Sequence, residues 1–458
     1  MSEGAEERGE GRSRDTTHTT DKPSAAPTGA ERRSGRGEAP CEGAEERAAD
    51  RGGDATHGRP SAASAGGPRR GGHGEALSVD LLYSEVEEQL RGSVRDLLSD
   101  RCTADDVLAR CDGGGAPYDM DLWRTLAVDL GVAGLSVPEA LGGHGASARE
   151  VAVVMEELGR RVAPVPFLGS VVLATTALLR GDTGDLRVAN LLARLAAGET
   201  TGTLVVTLST PPVAEFPTPV RATPAAEGFA VTGTVGSVAD ASAADVLVVP
   251  AIGDDGEGLY LVDAAADVTV SRLVALDLTR SIATVTFTDA PAHRIAGPGD
   301  ASTVLRHALT VGAGLLASEQ LGIAQWCLDE TVHYVGERHQ FGRPIGSFQA
   351  IKHRLAQLWL GLVSARAAAR HAASVLAAND PDTAVAVAVA QSYCATVAVH
   401  AAEEAVQLHG GTGMTWEHPA HLYLKRAKSD ELALGTPGHH LANLAHLVDI
   451  PPPEPDAG

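Results

Sequence analysis

HQFGRPIGSFQ, His339–Gln349, and QLHGGTGMTWE, Gln407–Glu417, decide the fold when they are read together. Around the first stretch, Arg338, Gln340 and Phe341 supply a cation, an amide and an apolar plate within one turn. The second places Gly410 and Gly411 at the end of a helical pattern, with Gln407 one turn earlier and Gly413 just after. Paired glycines at a helix end let the chain turn while exposing its amides. A dinucleotide pyrophosphate needs such close amides, and it needs a fixed cation, for which arginine offers planar charged donors. Taken singly, the first stretch reads more simply as a solvated charge before a Gly-Arg-Pro helix stop, and the second as a glycine C-cap. Their pairing favours a shared role.

Composition narrows the function classes. The chain has 458 residues, 44% hydrophobic and 21% charged, enough for two or three packed domains. Its formal net charge of −22 disfavours a nucleic-acid role, which needs a basic face. Cys41, Cys102, Cys111, Cys327 and Cys394 are scattered, without a CxxC pair, so no metal site is expected. Free thiols suit a reducing compartment. No apolar leader and no run of about 18 apolar residues is evident. The expectation is a soluble, cytoplasmic protein without a membrane span.

Along the chain the character changes twice. Residues 1–76 are rich in Gly, Ser, Arg, Glu and Ala and nearly free of large apolar groups, which reads as a disordered tail. Residues 77–198 read as a helical domain. Ser84 with Glu87 and Ser147 with Glu150 make capping boxes. Val86, Leu90, Val94, Leu97 and Leu98 are placed on one helical face, and Trp123, Leu126 and Leu130 on another. Gly134–Ser147, GLSVPEALGGHGAS, reads as a loop. Residues 199–300 carry short β-rich runs, such as ADVLVVPA and SIATVTFTDA, between turn residues, and read as a small antiparallel β domain. Helical periodicity returns at Ala301 and is expected to persist to residue 447. The Ala/Val alternation of Ala384–Ala390 mimics a strand, but its alanine content and helical flanks favour a buried helix. Residues 448–458 read as an extended tail.

The two glycine stretches resemble the R-x-x-F-G and Q-x-x-G-G-x-G pattern of the acyl-CoA dehydrogenase family, and the PE-x-x-GG-x-G loop within Gly134–Ser147 does so too. The resemblance covers roughly residues 77–445. HGGTGMTWEHPAHLYLKRA is most similar to a bacterial branch that includes α2β2 heterotetramers, in which one subunit type lacks the base. It implies an α+β fold: an N-terminal helical domain, a small antiparallel β domain and a C-terminal four-helix bundle. It implies FAD as cofactor, held between subunits, with Arg338, Gln340, Phe341, Gln407, Gly410 and Gly411 as contacts, Ile345 and Phe348 lining the adenine pocket, and Thr436 near the flavin. It implies an acyl-CoA or other acyl thioester substrate, and an electron-transfer flavoprotein as acceptor.

The same resemblance exposes departures. α,β-Dehydrogenation needs a carboxylate in an apolar site to take the C2 proton. The family usually supplies it from a Glu-Gly-Thr triplet, and here the triplet is Leu434-Gly435-Thr436. The minority position, counted back from Gly322-Ile323-Ala324-Gln325, is Gly312. Glu431 is the remaining candidate base, although it and Asp430 read more simply as an exposed charged face, as do Lys425, Arg426 and Lys428. Glu319 reads as structural. The TLSTPPVAEFPTPV stretch, Thr207–Val220, lacks the Glu-Pro and Gly-Ser that the family sets against the flavin. The leading expectation is a subunit that completes a FAD site for a paralogous, base-bearing chain. The rivals are an autonomous homo-oligomer using Glu431, and a non-catalytic thioester-binding scaffold.

Overall fold

The computed structural model describes residues 81–265 and 267–450. The tail read over 1–76, the first residues of the helical region from Leu77, and the final PPPEP stretch lie outside the described residues. Two helical regions flank a sheet, as the resemblance implies.

The first region holds α1 (Glu85–Arg101), α2 (Ala104–Asp112), α3 (Met120–Arg124), α4 (Ala148–Arg161), α5 (Thr175–Arg180) and α6 (Leu186–Ala196). Both expected capping boxes form: Ser84 caps α1 with Glu87, and Ser147 caps α4 with Glu150. Each satisfies two amides that the first turn leaves without partners. Val94 and Leu98 are buried, whereas Val86 is exposed and departs from the expected face, because it lies in the first turn, outside the packed stripe. Trp123 and Leu126 are buried in the helical core.

The sheet comprises β1 (Gly202–Leu204), β2 (Val220–Pro224), β3 (Phe229–Ala239), β4 (Val246–Gly253), β5 (Gly256–Asp263), β6 (Val268–Arg272) and β7 (Ile282–Ala296). Pairing runs β4–β2–β3–β7–β5 and returns to β4, so these strands form a ring; β1 is added at β4 and β6 at β7. Most pairs are antiparallel, and β1 and β2 meet β4 in parallel. Alternating residues such as Val231, Val249, Tyr260 and Phe287 fill its separate core. Tyr118, ahead of α3, reaches into this region and donates to Asp240 at 2.5 Å.

The last region holds α7 (Ala301–Glu337), α8 (Gln349–Ala378), α9 (Thr383–His409), α10 (Ala420–Leu432) and α11 (Pro437–Leu447). Its helical pattern is interrupted. His339–Gln340 and Arg343–Pro344 pair as β8 and β9, a two-stranded turn between α7 and α8, so the opening motif lies outside the helix in which its periodicity places it. Gly342, with φ of 75°, and Pro344 impose the break. α9 confirms the buried-helix reading of the Ala/Val run. It is also the one described helix long and apolar enough to cross a bilayer, and 67% of its apolar window is buried in the bundle.

α7 is the central rod, packed on α9, α8 and α4. Its crossing with α4 depends on two glycines. A Cβ at Gly159 would lie 2.1 Å from the Glu319 carbonyl oxygen, and one at Gly322 would lie 2.0 Å from that of Glu156. Backbones therefore touch where other residues would hold them apart.

Candidate cofactor and catalytic sites

One end of the bundle gathers the two glycine motifs. The Tyr334 hydroxyl, near the end of α7, donates to the carbonyl of His409 at 3.4 Å, and the two rings stack at 4.2 Å. This contact joins the end of α7, where Arg338 stands, to the end of α9. Arg338, Gln340, Phe341, Gln407, Gly410 and Gly411 are all exposed there. Phe341 is 89% exposed and adopts φ of 53°, a strained conformation for an aromatic residue. Phe348 meets Phe341 edge-on at 6.1 Å, and Arg343 lies over the Phe348 ring at 3.9 Å. Ile345 is half-buried and its amide donates to the Arg338 carbonyl at 2.8 Å.

The glycines test whether this end suits a flavin dinucleotide. Gly410 needs to be glycine for its own backbone, with φ of 62° and ψ of −135°. Gly411 does not: its φ is −55°, and nothing lies within 4 Å of a Cβ built on it. The fold of this chain does not require glycine at 411. The exposed cation, amides and plate fit a dinucleotide.

The opposite end holds the positions where a base is expected. Leu434 has no exposed surface and its amide donates to the Leu208 carbonyl at 2.7 Å. A Cβ at Gly312 would lie 2.6 Å from Leu173 Cδ2 and 3.0 Å from Leu434 Cδ1. The two positions therefore face each other, and leucine side chains fill the space between them. Pro211 packs on Gly435, so the Thr207–Val220 segment covers this plug. A cleft of about 460 Å³, lined by Pro212, Phe216, Ser302, Arg306 and Leu309, runs between that segment and the first turns of α7. Thr436 is the N-cap of α11, its hydroxyl accepting from the His439 amide at 3.3 Å. His440 is buried, with Nε2 at 2.9 Å from the Leu434 carbonyl; burial lowers its pKa, which that carbonyl partly restores.

From Gly312 to Arg338 the chain advances about 39 Å along α7 at 1.5 Å per residue.

The acidic candidates separate. Glu431 is half-buried on α10 and pairs with Lys428 at 3.4 Å. Asp430 is fully buried, which corrects the exposed-face reading. Arg280 Nη1 meets Asp430 at 2.5 Å, and Nη2 meets Glu319 at 2.7 Å. Arg426, also buried and also misread as solvated, lies 3.3 Å from Asp277 and 3.4 Å from Glu319. Burial raises the pKa of Asp430 well above the carboxylate range, helped by the Glu319 charge and opposed by Arg280 and Arg426. Three carboxylates facing two guanidiniums support that direction. The cluster ties the loop before β7 to α7 and α10. Leu422, Arg426 and Asp430 recur every fourth residue with Tyr423 and Ala427 beside them, so helical phase carried the missing signal.

Two family models match: acyl-CoA dehydrogenase N-terminal domain over residues 84–199, and acyl-CoA dehydrogenase C-terminal domain over residues 302–448. Acyl-CoA dehydrogenase IpdE2 of Mycolicibacterium smegmatis is 34% identical over 364 residues, covering 79% of this chain and 98% of that protein. Among solved structures, the ChsE4-ChsE5 complex from Mycobacterium tuberculosis is 31% identical with a TM-score of 0.72, covering 82% of this chain and 100% of the matched one. A Tcur3481-Tcur3483 steroid ACAD variant is 31% identical with a TM-score of 0.70, covering 80% and 98%.

Proposed function

The chain belongs to the acyl-CoA dehydrogenase family of FAD-dependent oxidoreductases, and from that premise we propose that it completes the flavin site of a partner subunit that carries the base. The observation behind this reading is the facing pair Leu434 and Gly312. Neither can take a proton, and leucine side chains occupy the space where a carboxylate would stand.

FAD, when bound, accepts the hydride that leaves C3 of the acyl thioester. Arg338 offers charge and paired donors to the pyrophosphate, and Gln340 and Gln407 offer amides. Gly410 and Gly411 let that group approach the backbone, and Phe341 supplies an apolar face. The C2 proton goes to a carboxylate of the partner subunit, since Leu434 holds none. The separation of the two ends along α7 supports a site shared between chains. Glu431 is a poor replacement base, because its carboxylate is engaged with Lys428 at 3.4 Å on a partly exposed face of α10. The likeness to the Tcur3481-Tcur3483 steroid ACAD makes steroid-derived acyl-CoA thioesters the first substrates to try. An electron-transfer flavoprotein is the expected acceptor.

Co-expression with a paralogue bearing the Glu-Gly-Thr triplet tests the reading. The expected product is a flavin-containing hetero-oligomer that dehydrogenates the thioester, with no turnover by the chain alone. Turnover by the isolated chain that Glu431→Gln abolishes would overturn it.

A further inference from the structure

We propose that Glu330, His409 and His418 form a site for a divalent transition-metal ion, zinc first, that staples α7, α9 and the segment after α9 behind the Gly410–Gly411 turn. No spacing in the sequence announces it; the fold brings the three residues together. Among the described residues this is the one grouping of three ligand-type side chains, with one ligand atom from each within 4.8 Å of the others.

His409 carries the argument. It is 3% exposed, and its Nδ1 lies 2.7 Å from the Ala405 carbonyl. Nδ1 is therefore the protonated nitrogen, and Nε2 keeps its lone pair. That nitrogen is buried without a hydrogen-bond partner. A buried lone pair calls for a donor, a water or an ion. A histidine whose other nitrogen donates to a backbone carbonyl is oriented as metal-binding histidines are. Stacking on Tyr334 at 4.2 Å and a tilted contact with the His418 ring at 4.2 Å hold the ring.

His418 Nε2 lies 3.9 Å from Glu330 Oε1, too long for a hydrogen bond. Two imidazoles and a carboxylate suit zinc, cobalt or nickel, and leave a position for water. His418 Nδ1 accepts from the Ala420 amide at 3.2 Å, so the free ring carries its proton on Nε2. On binding, that proton moves to Nδ1 and the ion takes the Nε2 lone pair. The Ala420 amide, buried in the first turn of α10, loses that acceptor on binding, a cost that the bonds to the ion must exceed.

The test uses the full chain, in whichever assembly it purifies, without a histidine tag and after removal of metal by a chelator. Calorimetric titration with zinc, and the visible absorption of added cobalt, read the site directly. The expected result is one ion per chain at micromolar concentration, weakened about tenfold or more by Glu330→Gln and by His418→Gln. X-ray absorption at the zinc edge of the unaltered protein is independent of how the variants fold, and should show imidazole nitrogen and oxygen without sulfur. No binding at micromolar zinc, binding equal in folded variants, or sulfur ligation would each overturn the proposal. A water on His409 Nε2 would then satisfy it instead.

Discussion

Replacing Leu434 with glutamate restores the residue type that the family uses as base and asks whether a base is all this chain lacks. The packing says otherwise. Leu434 is fully buried, and its Cδ1 faces Gly312 beside Leu173. Removing its apolar contacts costs about 2 kcal/mol. A neutral carboxyl without a partner in that wall costs about 1–3 kcal/mol more. The sum, about 3–5 kcal/mol, is a large part of ordinary domain stability. The penalty also depends on pH. Burial raises the folded-state pKa of the new carboxyl above its unfolded value of about 4.3. The unfolded chain therefore ionises first, and stability is lost as pH rises, by about 1.4 kcal/mol per unit, until the folded-state pKa is reached. Thermal melts of Leu434→Glu and the unaltered chain at pH 5.5 and 7.5 should show a deficit that widens at the higher pH. Turnover of acyl-CoA by the isolated variant should stay absent. A variant as stable as its parent at both pH values, and active alone, would refute the filled-site reasoning.

In the assembly with a base-bearing partner, Gly411→Ala should leave the melting temperature unchanged or slightly raised, since φ there is ordinary and the Cβ meets nothing, while flavin content falls. Retained flavin would remove Gly411 from the site. Arg338→Ala should likewise lower flavin content without loss of fold, measured by absorbance and circular dichroism. Arg280→Ala breaks the buried pair with Glu319, leaving that carboxylate to Arg426, and removes the donor to Asp430; it should destabilise by about 3–5 kcal/mol, read by denaturant melts. His409, His418, His421 and His440 all have pKa values lowered by burial. The unfolded chain then takes protons first as pH falls through about 6.5, so stability should drop between pH 7.5 and 5.5. A flat melting profile across that window would contradict it.

Much of the fold was legible because local signals and tertiary packing agree. Ser84–Glu87 and Ser147–Glu150 are read from spacing alone, and the alternating runs of β4 and β7 are strands. The helix across Ala384–Ala390 was legible only by weighing alanine content against alternation. Other features depend on contacts that no local pattern carries. The β8–β9 turn lies inside a stretch that scores as helix, and needs Gly342 at positive φ to form. Arg426 and Asp430 look solvated until Arg280 and Asp277 arrive from the loop before β7. Leu434 and Gly312 are far apart in sequence, so their mutual filling appears only when α7 and the turn after α10 meet.

The most direct test is the flavin content and native mass of the chain, purified alone and with a Glu-bearing dehydrogenase paralogue. The account predicts flavin-poor protein alone, and a yellow heterotetramer with the partner. A yellow homotetramer that dehydrogenates acyl-CoA by itself would contradict it.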